Sequence, residues 1–138
     1  MPQVSGSFTG KTRSQAMVSL QDTPDHDMSV IEVSGPQTSS DPLWNNATVF
    51  YWGAADLIAG TGTQTGHFMN RRPNGDIDRG TFQGKITTAG GVVTMEGDWQ
   101  YTGGTGTFSG ISGGGTYKGR ITSPTEVQVN WEGTYQLR

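Results

Sequence analysis

Apolar and polar residues alternate strictly in two stretches near the end of the chain, residues 93–101 and 126–138. Within each stretch the large apolar side chains fall on one parity and the charged or amide side chains on the other. A period of two predicts β-strands with one buried and one solvated face. The apolar parity comprises Met95, Trp99 and Tyr101 in the first stretch, and Val127, Val129, Trp131, Tyr135 and Leu137 in the second.

These stretches belong to a repeated hairpin. The segment GTFQGKIT at residues 80–87 is echoed by GTYKGRIT at residues 115–122, roughly 35 positions later, and in each copy a short turn leads to the alternating partner strand. Looser copies of the first half lie at residues 6–12 and 106–112. The pattern predicts an array of β-hairpins.

Shorter patterns divide the first half of the chain. Residues 35–46 contain two prolines and paired asparagines, which predicts one long loop, and Trp44 within it is expected to cover apolar surface. Strands are predicted at residues 5–12, at a second segment through Ala16, Val18 and Leu20, and at residues 28–34, 47–60 and 61–70.

No apolar pattern of period 3.6 continues for the length of a helix. Strands separated by turn-rich intervals leave a sandwich or a barrel, and long amphipathic hairpins favour up-and-down closure because closure removes the sheet edges. The 138 residues suit a single domain, residues 1–138. We therefore predict an all-β fold, a closed antiparallel up-and-down barrel.

Residues 47–60 are apolar on both parities. Val49, Tyr51 and Leu57 share one face, while Phe50 and Trp52 lie on the other. A strand that is apolar on both sides is covered on both sides, and no helix is predicted that could cover the second one. We expect a second subunit there, so the chain is predicted to form a homo-oligomer.

Composition excludes several classes of function. The net charge is −3 with 15% charged residues and no basic cluster beyond Arg71 and Arg72, which disfavours nucleic acid as a partner. The absence of cysteine removes thiolate nucleophiles and thiolate metal sites. No apolar run is long enough for a membrane span and no signal pattern begins the chain, so we expect a cytoplasmic protein that does not contact membranes.

One glycine-rich motif carries a resemblance. Residues 103–110 read GGTGTFSG and residues 114–119 read GGTYKG. This arrangement resembles the allene oxide cyclase barrel superfamily, which includes plant allene oxide cyclases, dirigent proteins and bacterial proteins of unassigned function. The resemblance covers about the last third of the chain. It implies an eight-stranded antiparallel barrel, often trimeric, with an apolar cavity that shapes the path of a small molecule, and it transfers no catalytic residue.

Parity identifies the side chains that would face the interior of such a barrel. An aromatic-lined cavity for an apolar or aromatic ligand and an ordinary packed core need the same residues. Glycines on the inner parity, Gly84, Gly97, Gly119 and Gly133, favour a cavity, because a missing side chain leaves room or permits strand bending. The predicted ligand-binding residues are Trp99, Trp131, Tyr135, Met95, Phe82 and Tyr117.

Three residues are candidates for proton transfer: Tyr101, His67 and Asp78. Each is in phase with apolar residues expected to face inward, where burial could shift a pKa towards catalytic use. The alternatives are a hydrogen-bonded packing role for the histidine and a strand-ending role for the aspartate. Asp56 and Asp76 are further acids that could reach the interior. The acidic segment around His26 has no known metal-loop spacing, so we predict neither a metal site nor a cofactor.

Three functions follow from these patterns. The first is a cofactor-independent isomerase, cyclase or lyase that holds an apolar or aromatic substrate in a reactive shape. The second is a non-catalytic carrier, lipocalin-like or avidin-like, and the third is a structural oligomer with a filled barrel. An open cavity with an inward ionisable group favours the first, a cavity lined only by aromatic rings the second, and a filled interior the third.

Overall fold

A computed structural model describes residues 2–138 and shows a closed barrel of eight antiparallel strands. Each strand pairs with its neighbours along the chain, and the last pairs with the first, so the all-β up-and-down prediction is confirmed. The strands are β1 (Gln3–Ser19), β2 (His26–Ser39), β3 (Thr48–Ile58), β4 (Thr61–Arg71), β5 (Ile77–Ala89), β6 (Val92–Gly104), β7 (Ser112–Ser123) and β8 (Glu126–Gln136).

The repeated hairpins predicted from the sequence are β5–β6 and β7–β8. In the first, Gly90 and Gly91 form the turn with φ of +59° and +78°. Positive φ at both central residues is the geometry of a two-residue hairpin turn, and glycine adopts it without steric cost. The predicted apolar face of this hairpin is also confirmed, because Met95, Trp99 and Tyr101 are buried.

The first predicted strand boundary is wrong. The residues assigned to two strands form the single strand β1, which contains a β-bulge between Thr12 and Ser14. A bulge inserts one extra residue and locally disrupts the ladder. Phe8 before it is buried, whereas Met17 and Val18 beyond it, on opposite parities, are 59% and 66% exposed. The predicted loop is also too long, since β2 continues through Gly35 to Ser39.

The looser hairpin copy at residues 106–112 is not a strand. A 3-10 turn, Gly106–Phe108, occupies its first part, and both Phe108 and Ile111 are buried. Gly106 has a φ of +57°, which ends the extended conformation of β6. Within residues 2–138 no helix is long and apolar enough to cross a membrane.

The two ends of the barrel differ. At one end, which we call the closed end, lie the longer β2–β3, β4–β5 and β6–β7 connections. At the other, the hairpin end, β3–β4, β5–β6 and β7–β8 are joined by two-residue turns and β1–β2 by residues 20–25. Trp44 lies at the closed end with no exposed surface and packs against Tyr101, Phe108 and Tyr135. The prediction that Trp44 covers apolar surface is thus confirmed.

Candidate functional site in the barrel interior

A cavity of about 80 Å³ lies inside the barrel. Five of the six predicted ligand-binding residues line it: Trp99, Trp131, Met95, Phe82 and Tyr117. The other lining residues are Phe8, Gln37, Val49, Tyr51, Gln64, Phe68, Asn70, Tyr101 and Val129.

Tyr135, the sixth predicted residue, does not line the cavity. Its ring lies 4.7 Å from the ring of Trp44, and its hydroxyl donates a 3.0 Å hydrogen bond to Asp41. Burial, reinforced by the Asp41 carboxylate, raises the pKa of this hydroxyl. Parity placed Tyr135 on the inner face correctly, but its position near the end of β8 puts it in the closed end.

Rings lie over the inner glycines. Tyr117, Gly97, Gly84 and Gln64 form one row across four adjacent strands, β7, β6, β5 and β4. The Tyr117 side chain crosses both glycines, and its hydroxyl accepts a 2.6 Å hydrogen bond from the Gln64 amide. A Cβ atom at Gly84 would lie 2.5 Å from that hydroxyl, and one at Gly97 would lie 2.7 Å from it. Both positions require glycine, because the tyrosine ring and the neighbouring backbone occupy the space that a Cβ atom would need.

The same arrangement recurs elsewhere in the barrel. A Cβ atom at Gly66 would lie 2.6 Å from the Phe82 ring, and one at Gly133 would lie 2.7 Å from the Trp99 ring. The expectation that the inner glycines leave room for a ligand is therefore wrong for Gly84, Gly97 and Gly133. Neighbouring rings fill that room, and the cavity is smaller than the roughly 300–1,000 Å³ of common ligand pockets.

A chain of polar groups runs from the cavity wall to the closed end. The Trp131 indole donates a 2.8 Å hydrogen bond to the Gln37 carbonyl oxygen, and the Gln37 amide donates to Asn70 at 3.3 Å. The Asn70 amide in turn donates to Asp78 at 2.9 Å. Gln37 and Asn70 line the cavity, but their polar atoms are engaged with one another and with their neighbours.

Asp78 is fully buried and paired with Arg72. The guanidinium donates a 2.5 Å hydrogen bond to the carboxylate and another to the Leu43 carbonyl at 2.8 Å. Phe108 and Trp44 flank its planar group, at 3.7 and 5.2 Å from the ring centres. Burial raises the pKa of Asp78, while the charge of Arg72 opposes that rise. This ion pair holds three connections of the closed end together.

The three candidate proton-transfer residues separate in space. Tyr101 lines the cavity. Asp78 does not line the cavity, but it is hydrogen-bonded to Asn70, which does. It lies near the start of β5, so the strand-ending role considered for it from the sequence agrees with its position. His67 is exposed on the outer surface of β4, so the expectation that it faces the interior is wrong. Its parity was misassigned, because Gln64, Phe68 and Asn70 of the opposite parity point inward.

Three tyrosine hydroxyls in the cavity lining remain protonated over the whole neutral range. Burial raises the pKa of Tyr51 and of Tyr101, and it raises the pKa of Tyr117 to about 12 in spite of the hydrogen bond from Gln64. A neutral phenol donates a hydrogen bond well and gives up its proton poorly. These side chains cannot act as bases near pH 7.

A second ionisable cluster lies outside the barrel at the hairpin end. His26 lies between two carboxylates, with Nδ1 2.7 Å from Asp22 and Nε2 2.5 Å from Asp56. The hydrogen bond to Asp56 contributes most to raising the pKa of His26, and the bond to Asp22 raises it further. The bond to His26 in turn lowers the pKa of Asp22. Asp56 is exposed and binds this histidine, so the expectation that it could reach the interior is wrong.

Sequence reasoning missed the polar side chains of the interior. Gln37, Gln64 and Asn70 are 2%, 9% and 5% exposed, yet none lies in an alternating apolar pattern. Only the register of β4 against β5 could have shown that Gln64 and Asn70 point inward. They pair with Gly84 and Asp78, which share the parity of the inward-facing Phe82. Gln37 fell in a predicted loop.

Comparisons with known proteins add one solved structure. No family model matches the sequence, and no curated protein matches it. The chain is similar to the pterocarpan synthase dirigent protein, with a TM-score of 0.47 and 12% sequence identity over 99% of this chain and 87% of that one. The strand pairing described above establishes the fold independently of this likeness.

Proposed function

We propose that the barrel binds a small apolar or aromatic molecule in its interior. The observation that carries the proposal is the cavity itself, which is lined by aromatic rings such as Trp99, Trp131 and Phe82. Apolar cavities with a few placed polar groups are the usual sites of small-molecule binding. Aromatic rings also offer large apolar contact area to a flat ligand.

The size of the cavity limits the ligand. An engineered cavity of about 150 Å³ binds benzene, whereas this one measures about 80 Å³. We infer that a single small ring fits only when side chains such as Met95 change rotamer and enlarge the cavity, and that nothing larger binds. Methionine suits this role because its side chain is flexible.

A second candidate function is a cofactor-independent isomerase, cyclase or lyase. The observation that favours it is the presence of Tyr51 and Tyr101 in the cavity lining, with hydroxyls that stay protonated. A neutral donor held in a dry site stabilises negative charge that develops on a substrate oxygen. Catalysis would then come from shape and hydrogen bonding, because neither Asp78 nor His67 lines the cavity.

Native mass spectrometry tests the proposal. We expect the purified protein, or the protein incubated with toluene or phenol, to carry one extra low-mass species per chain. Val129→Phe fills the cavity from its wall and should abolish this species. Val92→Phe makes the same change at an exposed position and should retain it.

An absence of bound species under every condition, together with unchanged NMR spectra when either compound is added, would overturn the proposal. It would favour a structural protein with a filled barrel. Turnover of a bound compound would separate the enzyme from a carrier.

A further inference from the structure

Both ring nitrogens of His26 contact a carboxylate. Nδ1 lies 2.7 Å from Asp22, and Nε2 lies 2.5 Å from Asp56. An ionised carboxylate only accepts hydrogen bonds, so each contact needs a hydrogen on the ring nitrogen. A neutral imidazole carries one such hydrogen, whereas the imidazolium carries two. The geometry at His26 is therefore that of the charged ring, and a neutral ring can keep only one of the two bonds.

The two carboxylates lie in different parts of the barrel. One belongs to strand β3, whereas Asp22 belongs to the connection between β1 and β2, residues 20–25. Backbone hydrogen bonds fix the two ends of this connection: Leu20 donates to the His26 carbonyl at 2.8 Å, and Ala59 donates to the Asp25 carbonyl at 2.9 Å. The side-chain bond between His26 and Asp22 ties down the residues between those ends.

We propose that His26 is a proton-sensitive clip that holds the β1–β2 connection against the barrel. When the ring loses a proton, Nε2 keeps its hydrogen, because the contact with Asp56 is the shorter of the two. The lone pair of Nδ1 then faces the Asp22 carboxylate, and two groups that can only accept hydrogen bonds repel each other. The Asp22 side chain is 59% exposed, so it turns to water and frees the middle of the connection.

The surrounding charges set the direction of this switch. The charged groups that act on the ring are Asp56 of β3 and Asp22 of the connection. Asp27, the next residue of β2, accepts a 2.8 Å hydrogen bond from the hydroxyl of Ser19 in β1. The two carboxylates stabilise the imidazolium, so they raise the pKa of His26 above 6.5. The clip is therefore closed at acidic pH, and it opens as pH rises through the raised value.

NMR relaxation of the full chain tests the proposal. Order parameters of the Cα–H bonds suit the measurement, because amide hydrogens exchange with water at high pH. Near about pH 5 both ring nitrogens of His26 should have the chemical shifts of protonated nitrogen, and the order parameters of residues 21–24 should be about 0.85. Near about pH 9 these order parameters should fall below about 0.6, with the same midpoint as the ring titration. Residues 90–91 form a turn at the same end of the barrel, and their order should not change.

Asp56→Asn is the most informative variant. Its amide can donate to Nε2, so the neutral ring can carry its hydrogen on Nδ1 and keep the bond to Asp22. Residues 21–24 should then stay ordered near about pH 9, where they are mobile in the wild type. Asp22→Ala should leave them mobile at both pH values. His67→Gln alters an exposed histidine on β4 and should reproduce the wild type.

Unchanged order of residues 21–24 from about pH 5 to about pH 9 in the wild type would overturn the proposal, and so would a neutral His26 ring near about pH 5. A connection that loosens at high pH in Asp56→Asn as it does in the wild type would overturn it as well. Circular dichroism confirms that each variant is folded. None of these measurements involves a ligand, so their outcome is independent of whether the interior binds a small molecule.

Discussion

The amide of Gln64 and the hydroxyl of Tyr117 are joined by a 2.6 Å hydrogen bond, although β4 and β7 are not neighbours in the barrel. The tyrosine spans β6 and β5 by crossing Gly97 and Gly84. The contact thus links four strands through one side chain. It also accounts for glycine at the two inward positions that the tyrosine crosses, residues 84 and 97.

Substitution of Gly84 by alanine should destabilise the barrel. The added Cβ would overlap the Tyr117 hydroxyl and the Glu96 carbonyl, and overpacking of this kind costs about 1–3 kcal/mol. Gly53→Ala is the matched control, since its Cβ would meet Phe82 at 3.4 Å, an ordinary contact distance. Urea unfolding monitored by tryptophan fluorescence measures both. Equal stability of the two variants would show that the ring does not need the glycine.

Removal of the charge of Asp78 should destabilise the barrel more than the Gly84→Ala substitution does. Asp78→Asn keeps the shape but leaves Arg72 buried and unpaired, a change that costs about 3–5 kcal/mol in buried ion pairs. Asp98→Asn makes the same chemical change at an exposed position and should have little effect. Denaturant midpoints compare the two. A loss below about 1 kcal/mol for Asp78→Asn would contradict a structural role for the pair.

The stabilising contribution of His26 should depend on pH. Because its pKa is raised above 6.5, the contribution is present below that pH and is lost as pH rises through the folded-state value. The lowered pKa of Asp22 adds stability above 3.8 that is lost as pH falls. The melting temperatures of wild type and His26→Gln should therefore differ most near about pH 5.

His67→Gln is the control for this experiment, because His67 is exposed and has no ion pair within the described chain. Its melting temperature should follow that of the wild type at every pH. High salt should reduce the His26 effect, since both carboxylates are half-exposed. A His26→Gln difference that stays constant from pH 5 to about pH 9 would rule out the ionic contribution.

We propose that the outer face of β1 to β3 is the contact between copies of the chain. Strand β1 extends past the start of β8, where the pairing of the two strands ends at Lys11 and Glu126, and exposed apolar side chains lie near this free edge. Val18, Met28, Val30, Trp52 and Ile58 are 66%, 48%, 59%, 37% and 49% exposed. Contiguous apolar surface beside an unpaired edge favours association.

Light scattering at micromolar concentration should give a mass that is a multiple of 14.7 kDa, such as a trimer. Val30→Lys places a charge in this face and should reduce the mass to that of one chain. Val92→Lys alters an exposed valine at the hairpin end and should leave it unchanged. A monomeric wild-type protein would contradict the proposal.

The strands were predictable where one face is solvated, and less so elsewhere. Strict alternation identified β5 to β8 because each inward Met, Trp or Tyr is followed by an outward polar residue. The boundary errors in β1 and β2 arose at the bulge after Thr12 and at Pro36, where local sequence signals compete with tertiary pairing. Strand β2 accommodates Pro36 next to the start of β3.

The sequence predicts which aromatic rings face the interior, but not how they are arranged around the cavity. Alternation places Trp99 and Tyr117 inside, yet it does not reveal that Tyr117 lies across glycines of two other strands. That contact depends on register between strands, which a single-strand pattern does not encode. For the same reason the cavity is smaller than the glycine count suggested, and His67 was assigned to the wrong face.

The pairing of β1 with β8 has a consequence for biosynthesis. Residue 3 lies opposite residue 134, so the strand that closes the barrel is the last of the eight to leave the ribosome. Until then the β1 and β7 edges both stay unpaired, and the rings of the interior face water. Closure therefore waits until β8 has been made, and the nascent chain passes through a state with two open edges whose lifetime depends on how quickly β8 docks.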